Sequence, residues 1–382
     1  MMPPEGDRTL DDLAFDLIAK ASALSGQLNP LVRDSLGDLV RSMNCYYSNL
    51  IEGHNTHPRD IERALATDFS SDLEKRNLQL EAKAHIEVQQ LIDRSETPQP
   101  TTSSEFIRWL HREFCDRLPP ELLVVTSPDG SVRQSVQPGA FRTGNVQIGK
   151  HVPPSAAVIP LFLQRFSEAY DPERLSKYRQ IIAIAASHHR LLWIHPFYDG
   201  NGRVTRLMSH AFLQQLGVGS SLWSVSRGLA RRSREYKSLL QDADAPRHDD
   251  LDGRGNLTLR GLKRFCQFFL EVCIDQVEFM GSLLEAETFL RRLELFIAEE
   301  VEAGRLLKGS YFLLREVWMR GEMGRGQAGA LTGYKDRQAR SVLSRLVKRG
   351  LLVSDSAKGA VRLGFPLDMV ERCFPNLYPQ QG

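Results

Sequence analysis

The sequence has 382 residues, of which 42% are hydrophobic and 25% charged, with a formal net charge of +2. This length allows two or three domains with a sizeable core, and the small net charge excludes a polyelectrolyte over the whole chain. Five scattered cysteines without a Cys-x-x-Cys pair argue against a disulfide framework or a zinc site and favour a reducing compartment. We find no run of eighteen apolar residues, so we expect no membrane-spanning helix and predict a cytoplasmic protein.

The first part of the chain is predicted to be helical. Apolar residues recur at helical spacing over 9–24, 32–51 and 75–93. A polar stretch rich in proline, serine and threonine at 98–104 marks a boundary, and Ser104 can cap the next helix over 105–117.

Residues 119–154 have a different character, because glycine and proline are frequent and short β-forming segments lie between them. The β-formers are Val124-Val125, Val132 and 146–148, and Pro128-Asp129-Gly130 is a turn signal. We predict one or two hairpins here on an otherwise helical protein. Helices are predicted again over 155–170, 173–194, 201–215, 227–241, 259–279 and 281–303.

Residues 303–367 have the order of a winged helix-turn-helix, with three short helical segments followed by two short strands. From 303 to 350 there are eleven lysines and arginines against three acidic residues. A basic helix over 335–349 is a candidate to bind DNA, although docking of a protein or a simply solvated face are alternatives. The predicted fold is mainly α, with an N-terminal helical region at 1–98, a catalytic domain at 99–280, a connecting helix at 281–302 and the winged helix at 303–382.

The segment from His195 to Arg206 contains the residues that phosphate chemistry needs. His195 precedes Pro196 at the end of a helix, where a base can face a ligand. Gly200, Asn201 and Gly202 begin the next helix, whose N-terminus is an anion site. Arg203 and Arg206 share one face of its first turn and suit phosphate oxygens, and Asp199 is a candidate ligand for Mg²⁺. Together they predict transfer of a phosphate-bearing group.

The same segment resembles the signature of the Fic family, His-Pro-Phe-x-(Asp/Glu)-Gly-Asn-Gly-Arg-x-x-Arg, at every specified position. The resemblance implies a largely helical Fido fold with a small β-hairpin, or flap, beside the active site. It also implies AMPylation, the transfer of AMP from ATP to a Ser, Thr or Tyr hydroxyl of a target protein. His195 would be the base, Asp199 would hold Mg²⁺, and Gly200, Asn201 and Gly202 would surround phosphate. Arg203 and Arg206 would contact the β- and γ-phosphates.

Two further segments resemble parts of that family. Residues 139–149 resemble the flap that aligns the target chain by strand addition, with Arg142, Thr143, Val146 and Ile148 as docking residues. Residues 48–53 match the family's inhibitory pattern, Ser/Thr-x-x-x-Glu-Gly/Asn, through Ser48, Glu52 and Gly53. The resemblance implies that Glu52 pairs with Arg206 and prevents productive ATP binding.

Several alternatives stay open on the sequence. Tyr236 is a weak candidate to face adenine, and a role in the core is favoured. The chain is alternatively a DNA-binding regulator with a Fic domain as ligand sensor, or a Fic enzyme that uses another donor or removes AMP. The expected partners are an unidentified target protein, the chain itself through self-modification, DNA, and a second copy in a homodimer, with no membrane partner.

Overall fold

The computed structural model describes residues 2–126, 133–219 and 221–379. This part of the chain is mainly helical, as predicted, with sixteen α-helices and two small antiparallel sheets. The helices are α1 (Arg8–Gly26), α2 (Pro30–Ile51), α3 (Pro58–Leu65), α4 (Leu73–Asp93), α5 (Ser104–Cys115), α6 (Ile159–Ala169), α7 (Lys177–Ile194), α8 (Asn201–Gln215), α9 (Val225–Arg231), α10 (Ser233–Asp244), α11 (Leu259–Leu284), α12 (Ala286–Glu302), α13 (Ser310–Arg320), α14 (Ala328–Thr332), α15 (Asp336–Lys348) and α16 (Leu367–Cys373).

The chain divides into two compact units. The first combines Met1–Ser22 with Asn44–Gln276, and the second combines Ala23–Met43 with Val277–Gly382. Helix α2 crosses the boundary between the two units, and α4 belongs to the same unit as the segment from His195 to Arg206. The four consecutive domains stay a prediction.

Helix α7 forms the centre of the first unit. Every residue from Arg179 to Leu191 is buried, so this helix is enclosed all round rather than amphipathic. Helix α8 packs against it, and α4 and α5 pack against α8. The core therefore fixes the end of α7 and the start of α8, between which lies the segment from His195 to Gly200.

The predicted hairpins are only partly present. Strands β1 (Val124–Thr126) and β2 (Arg133–Ser135) form an antiparallel pair with Val125 opposite Gln134. The predicted turn at 128–130 and Val132 lie outside the described residues. The hairpin predicted over 139–149 is reduced to one bridge, between Ile148 and His151.

The second unit contains the three helices α13, α14 and α15, followed by strands β3 (Leu352–Val353) and β4 (Arg362–Leu363). The strands are antiparallel, with Leu352 opposite Leu363. Gly333 has φ +69° in the turn between α14 and α15, a conformation that favours glycine. The order of elements is the one predicted, and the assignment to the winged-helix class stays a prediction.

Candidate active site

His195 lies at the end of α7 in a left-handed backbone conformation. Its φ and ψ are 49° and 62°, and its backbone N–H donates to the carbonyl of Leu191 over 3.0 Å. For a residue with a Cβ this conformation costs about 1–2 kcal/mol. The surrounding structure must therefore hold His195 in place, and Pro196 prevents the helix from continuing.

Arg142 supplies much of that hold. Its backbone N–H donates to the carbonyl of Pro196 over 2.9 Å, and its Nε donates to the carbonyl of His195 over 2.8 Å. The two terminal nitrogens donate to the carbonyls of Gly144 and Pro154. The side chain is buried, with 2% exposed. The side chain of Arg142 thus fastens two loops together, and its role in docking a target chain stays a prediction.

The imidazole of His195 is kept neutral. Burial lowers its pKa to about 4, and the nearby charges of His151 and Arg142 act in the same direction. The backbone of Leu192 acts in the opposite direction on that pKa but does not offset the effect of burial. At neutral pH the ring therefore has one unprotonated nitrogen, as a general base requires.

The side chain of Asn201 closes the loop after His195. Its amide oxygen accepts from the N–H of Phe197 over 3.0 Å, and its amide nitrogen donates to the carbonyl of Phe197 over 2.9 Å. The ring of Phe197 stacks on His111, with centroids 3.8 Å apart and planes within 4°. Because the side chain of Asn201 holds the loop, the predicted contact of Asn201 with phosphate would be made by its backbone N–H.

His111 was not singled out on the sequence. Its Nδ1 accepts a hydrogen bond from the N–H of Gly139 over 2.9 Å, and burial lowers its pKa to about 4. The neutral ring thus connects the segment around Gly139 to the loop through Phe197.

The first turn of α8 is built for close approach. Gly200 has φ 76° and precedes the helix. A Cβ at Gly202 would lie 2.1 Å from Oε1 of Glu52 and 3.0 Å from Nη1 of Arg206. The carboxylate of Glu52 therefore lies directly over this turn, where helix N–H groups attract anions.

Arg206 is held by the two residues of the inhibitory pattern. Its Nε donates to Oγ of Ser48 over 2.9 Å, and its Nη2 donates to Oε1 of Glu52 over 2.5 Å. Arg206 is 2% exposed, whereas 34% of the Glu52 side chain is exposed. Burial alone would raise the pKa of Glu52, but the charge and hydrogen bond of Arg206 outweigh it and lower that pKa. Gly53 follows with φ 89°.

Arg203 has different partners. Its Nη1 donates to Oε2 of Glu81 over 3.1 Å, its Nη2 lies 3.9 Å from Oδ2 of Asp199, and its guanidinium lies 4.7 Å from the ring centre of Phe114. The same Oε2 of Glu81 lies 3.1 Å from Nδ1 of His54. In this structure the two signature arginines therefore each face a carboxylate of their own.

A cavity of about 900 Å³ opens beside these groups, within the size range of small-molecule sites. Its lining includes Glu52, His195, Gly202 and Arg206. Helix α10 contributes a mixed surface of Tyr236, Lys237, Leu240, Gln241 and Asp244. The proposed base and one proposed phosphate-binding arginine thus face the same space.

The turn at Ile148–His151 forms part of the cavity wall. Ile148 is 42% exposed and exchanges two backbone hydrogen bonds of 2.9 Å with His151. Of the other predicted docking residues, Val146 is half-buried, and Thr143 is exposed with its Oγ1 3.2 Å from the hydroxyl of Tyr198.

His151 anchors this turn to α10. Its Nδ1 lies 3.1 Å from Oδ2 of Asp244, whose Oδ1 lies 3.1 Å from Nε2 of His189. Burial would raise the pKa of Asp244, but the two histidines outweigh it and lower that pKa to about 2. His151 and Asp244 were not identified on the sequence, because no local spacing connects them.

Tyr236 is mainly a core residue. It is 2% exposed, its hydroxyl lies 2.8 Å from Nε2 of His188, and its ring packs near Phe265 and Phe268. Since it also lines the cavity, contact with adenine stays a prediction.

Asp199 is suited to a metal that brings other ligands with it. Among the described residues we find no cluster of three His, Cys, Asp or Glu side chains that could hold a metal ion. The Asp199 side chain is 54% exposed. One accessible carboxylate agrees with Mg²⁺, which is usually held by one or two carboxylates, phosphate oxygens and water.

No helix in the described part of the chain is long and apolar enough to cross a membrane.

Part of this chain is similar to a known family of proteins. Residues 101–213 match the model of the Fic/DOC family. A protein adenylyltransferase Fic from Drosophila erecta is 37% identical over 82 residues, and the protein of the same name from Drosophila ananassae is 38% identical over 82 residues. These matches cover 22% of this chain, and the chain spans only 17% and 16% of the length of those two relatives.

A solved Fic family protein from Desulfovibrio desulfuricans G20 has the same fold. It superposes with a TM-score of 0.53 at 16% identity and covers 96% of this chain and 99% of its own. At this low identity the likeness concerns the fold alone.

Proposed function

Because residues 101–213 match the model of the Fic/DOC family, we propose that this chain is a protein adenylyltransferase that moves AMP from ATP to a hydroxyl of a target protein. The observation that carries the proposal is the neutral, half-buried base His195, which faces a cavity of about 900 Å³ together with Gly202 and Arg206 at a helix N-terminus. The relatives named protein adenylyltransferase support the same reaction class.

The proposed reaction is one in-line displacement. His195 takes the proton of a Ser, Thr or Tyr hydroxyl, and the hydroxyl oxygen attacks the α-phosphorus of ATP. The bond between the α-phosphorus and the bridging oxygen breaks, and pyrophosphate leaves with the electron pair. A phosphodiester then joins AMP to the target. Arg206 and the first N–H groups of α8 neutralise charge on the phosphates.

Asp199 would hold Mg²⁺ when the nucleotide is bound. When bound, this ion would neutralise charge that develops on the leaving pyrophosphate. The distance of 3.9 Å from Arg203 to Asp199, and the pairing of Arg203 with Glu81, support a role for Arg203 in orienting Asp199. Arg203 would then act on the phosphates at least partly through the metal ligand.

We also propose that the enzyme is autoinhibited by Glu52. Its carboxylate pairs with Arg206 and lies over Gly202, so it competes for the groups that the phosphates of ATP need. With one third of its side chain exposed, Glu52 has room to leave without unfolding the surrounding helices. The wild-type protein is therefore expected to be mostly inactive at rest.

The test is transfer of label from α-labelled ATP and Mg²⁺ in the presence of cell lysate. We expect strong labelling of the chain or of a partner protein by Glu52→Gly, weak labelling by wild type and none by His195→Ala. Glu96→Gly, which changes an exposed glutamate in a loop, is the matched control and should behave as wild type. Equal labelling by wild type and Glu52→Gly would refute autoinhibition. No label from any variant would count against AMP transfer, and label from γ-labelled ATP would indicate another transferred group.

A further inference from the structure

Helix α15 in the second unit carries a continuous basic surface. Six exposed residues form what is here called the basic stripe: Arg337, Arg340, Ser341, Ser344, Arg345 and Lys348. Their positions follow the helical pattern i, i+3, i+4, i+7, i+8 and i+11. This spacing places them on one side of the helix. The opposite side is apolar and buried in the core of the unit, through Ala339, Val342, Leu343 and Leu346. The stripe is thus fixed to a packed scaffold.

The charges of the stripe are mostly left without acidic partners. The one ion pair that we find for it within the described residues joins Arg340 to Asp336, at 3.9 Å with both side chains more than 80% exposed. Arg345 donates to a neutral acceptor, the carbonyl of Gly304. The neighbouring Arg349, in contrast, is paired with Glu300 at 2.8 Å. Acidic residues of this unit therefore neutralise the half-buried Arg349 and leave the stripe available to an external anion.

We propose that the basic stripe binds duplex DNA, with α15 in the major groove. The helix has 13 residues and hence a length of about 20 Å, and the groove is about 12 Å wide, enough to admit one helix. Arginine and lysine suit phosphates and guanine edges, and the small hydroxyl side chains of Ser341 and Ser344 allow close approach in the middle of the stripe.

The composition of the surface favours nucleic acid over an acidic protein. Protein interfaces depend on buried aromatic or large apolar anchors. The exposed large apolar residues that we find in the described part of the second unit lie on other elements: Leu295 on α12, Phe312 and Met319 on α13, and Val353 on β3. A stripe of cations and hydroxyls with no such anchor is what binding to phosphates requires.

The loop between β3 and β4 offers a second contact to the phosphate backbone of the DNA. Between β3 and β4 the exposed loop carries Lys358, while Asp355 is paired with Arg362 at 2.6 Å. This loop, which follows the basic stripe in the chain, therefore presents Lys358 without an acidic partner among the described residues. It supports the proposal without being required for it.

The test is fluorescence anisotropy of a labelled mixed-sequence duplex with the full chain at several salt concentrations. Each phosphate contact contributes about 0.9 to the slope of log affinity against log salt. We therefore expect the double variant Arg337→Ala, Arg340→Ala to bind at least about 10-fold more weakly at low salt, with a slope smaller by about two. Arg337→Lys with Arg340→Lys should keep the slope, because lysine also neutralises phosphate.

The matched control is Arg291→Ala with Arg320→Ala, which removes the same charge from exposed positions on α12 and α13. It should bind DNA as wild type does. Equal loss in both double variants would show a diffuse charge effect and overturn the proposal, as would salt-insensitive binding or none. Capture of polyglutamate but not of duplex would overturn it in favour of an acidic protein partner. Thermal unfolding of each variant checks that the fold is retained.

Discussion

Removal of the Glu52 carboxylate should strengthen ATP binding by about the free energy of the hydrogen bond between Glu52 and Arg206. A hydrogen bond between charged groups contributes about 1.5–3 kcal/mol. Since 34% of the Glu52 side chain is exposed, solvent screening reduces this to about 1–2 kcal/mol. If the contact between Arg206 and Glu52 must break before ATP can bind, it weakens the apparent binding free energy of ATP in the wild type by the same amount. Glu52→Ala should therefore lower it about 5- to 30-fold.

The assay is calorimetric titration with ATP and Mg²⁺ of proteins that also carry His195→Ala, so that no AMP is transferred during the measurement. Glu52→Gln should lie between the wild type and Glu52→Ala, because the amide keeps an oxygen acceptor for Arg206 but loses the charge. Glu74→Ala, in an exposed position of the first turn of α4, is the matched control.

One result would refute this reasoning directly. If Glu52→Ala bound ATP no more tightly than the control, the contact of 2.5 Å between Glu52 and Arg206 would not compete with the nucleotide. Any inhibition by Glu52 would then act on a later step than binding.

Three further outcomes follow from the geometry around His195. Burial lowers the pKa of His195 to about 4, so His195 should stay neutral and active as pH falls and lose activity only as pH approaches that value. Initial labelling rates of Glu52→Gly, measured against pH, check this. A midpoint near the ordinary histidine pKa of about 6.5 would contradict it. Arg142→Lys loses the forked donors that hold His195 and should slow labelling by about 10- to 100-fold, whereas unchanged kinetics would show that this hold is dispensable. The double variant Gly202→Ala, Glu52→Ala should bind ATP about tenfold more weakly than Glu52→Ala alone, because the added methyl group takes the place that phosphate needs. Calorimetric titration measures the difference. Equal affinity would show that ATP does not contact this turn.

The local part of the site could be predicted from the sequence, because neighbouring residues determine it. Pro196 ends α7 at Ile194, and the glycines around Asn201 begin α8, whose bounds of 201–215 are those predicted. The pairing of Glu52 with Arg206, which are 154 positions apart, came from a resemblance rather than from spacing. Helix α3 was missed because in eight residues only Ile61 and Ala64 are buried, too few for a periodic signal.

The nonlocal part could not be predicted, and it changed the interpretation of individual residues. Arg142 was predicted to dock a target chain because residues 139–149 resemble the flap of the Fic family, whereas its side chain donates to the carbonyl of His195, which is 53 positions away. Asp244 and His151 are likewise distant in the chain, and only the fold brings them to 3.1 Å. A polar side chain in a loop has the same sequence signature whether it faces solvent or fastens another loop.

Glu81 poses the sharpest remaining question, because its contact with Arg203 has two physical interpretations. It either orients Arg203 toward Asp199 or occupies Arg203 as a second inhibitory carboxylate. Glu81 is 12% exposed and Arg203 7%, so loss of the charge should destabilise the fold by about 2 kcal/mol in either case. ATP affinity separates the two: orientation predicts weaker binding of ATP with Mg²⁺ by Glu81→Gln, and inhibition predicts tighter binding. Since Glu81 also contacts His54 and is more buried than Glu52, we expect the first outcome. Tighter binding, measured beside Glu52→Ala, would instead make both carboxylates inhibitors.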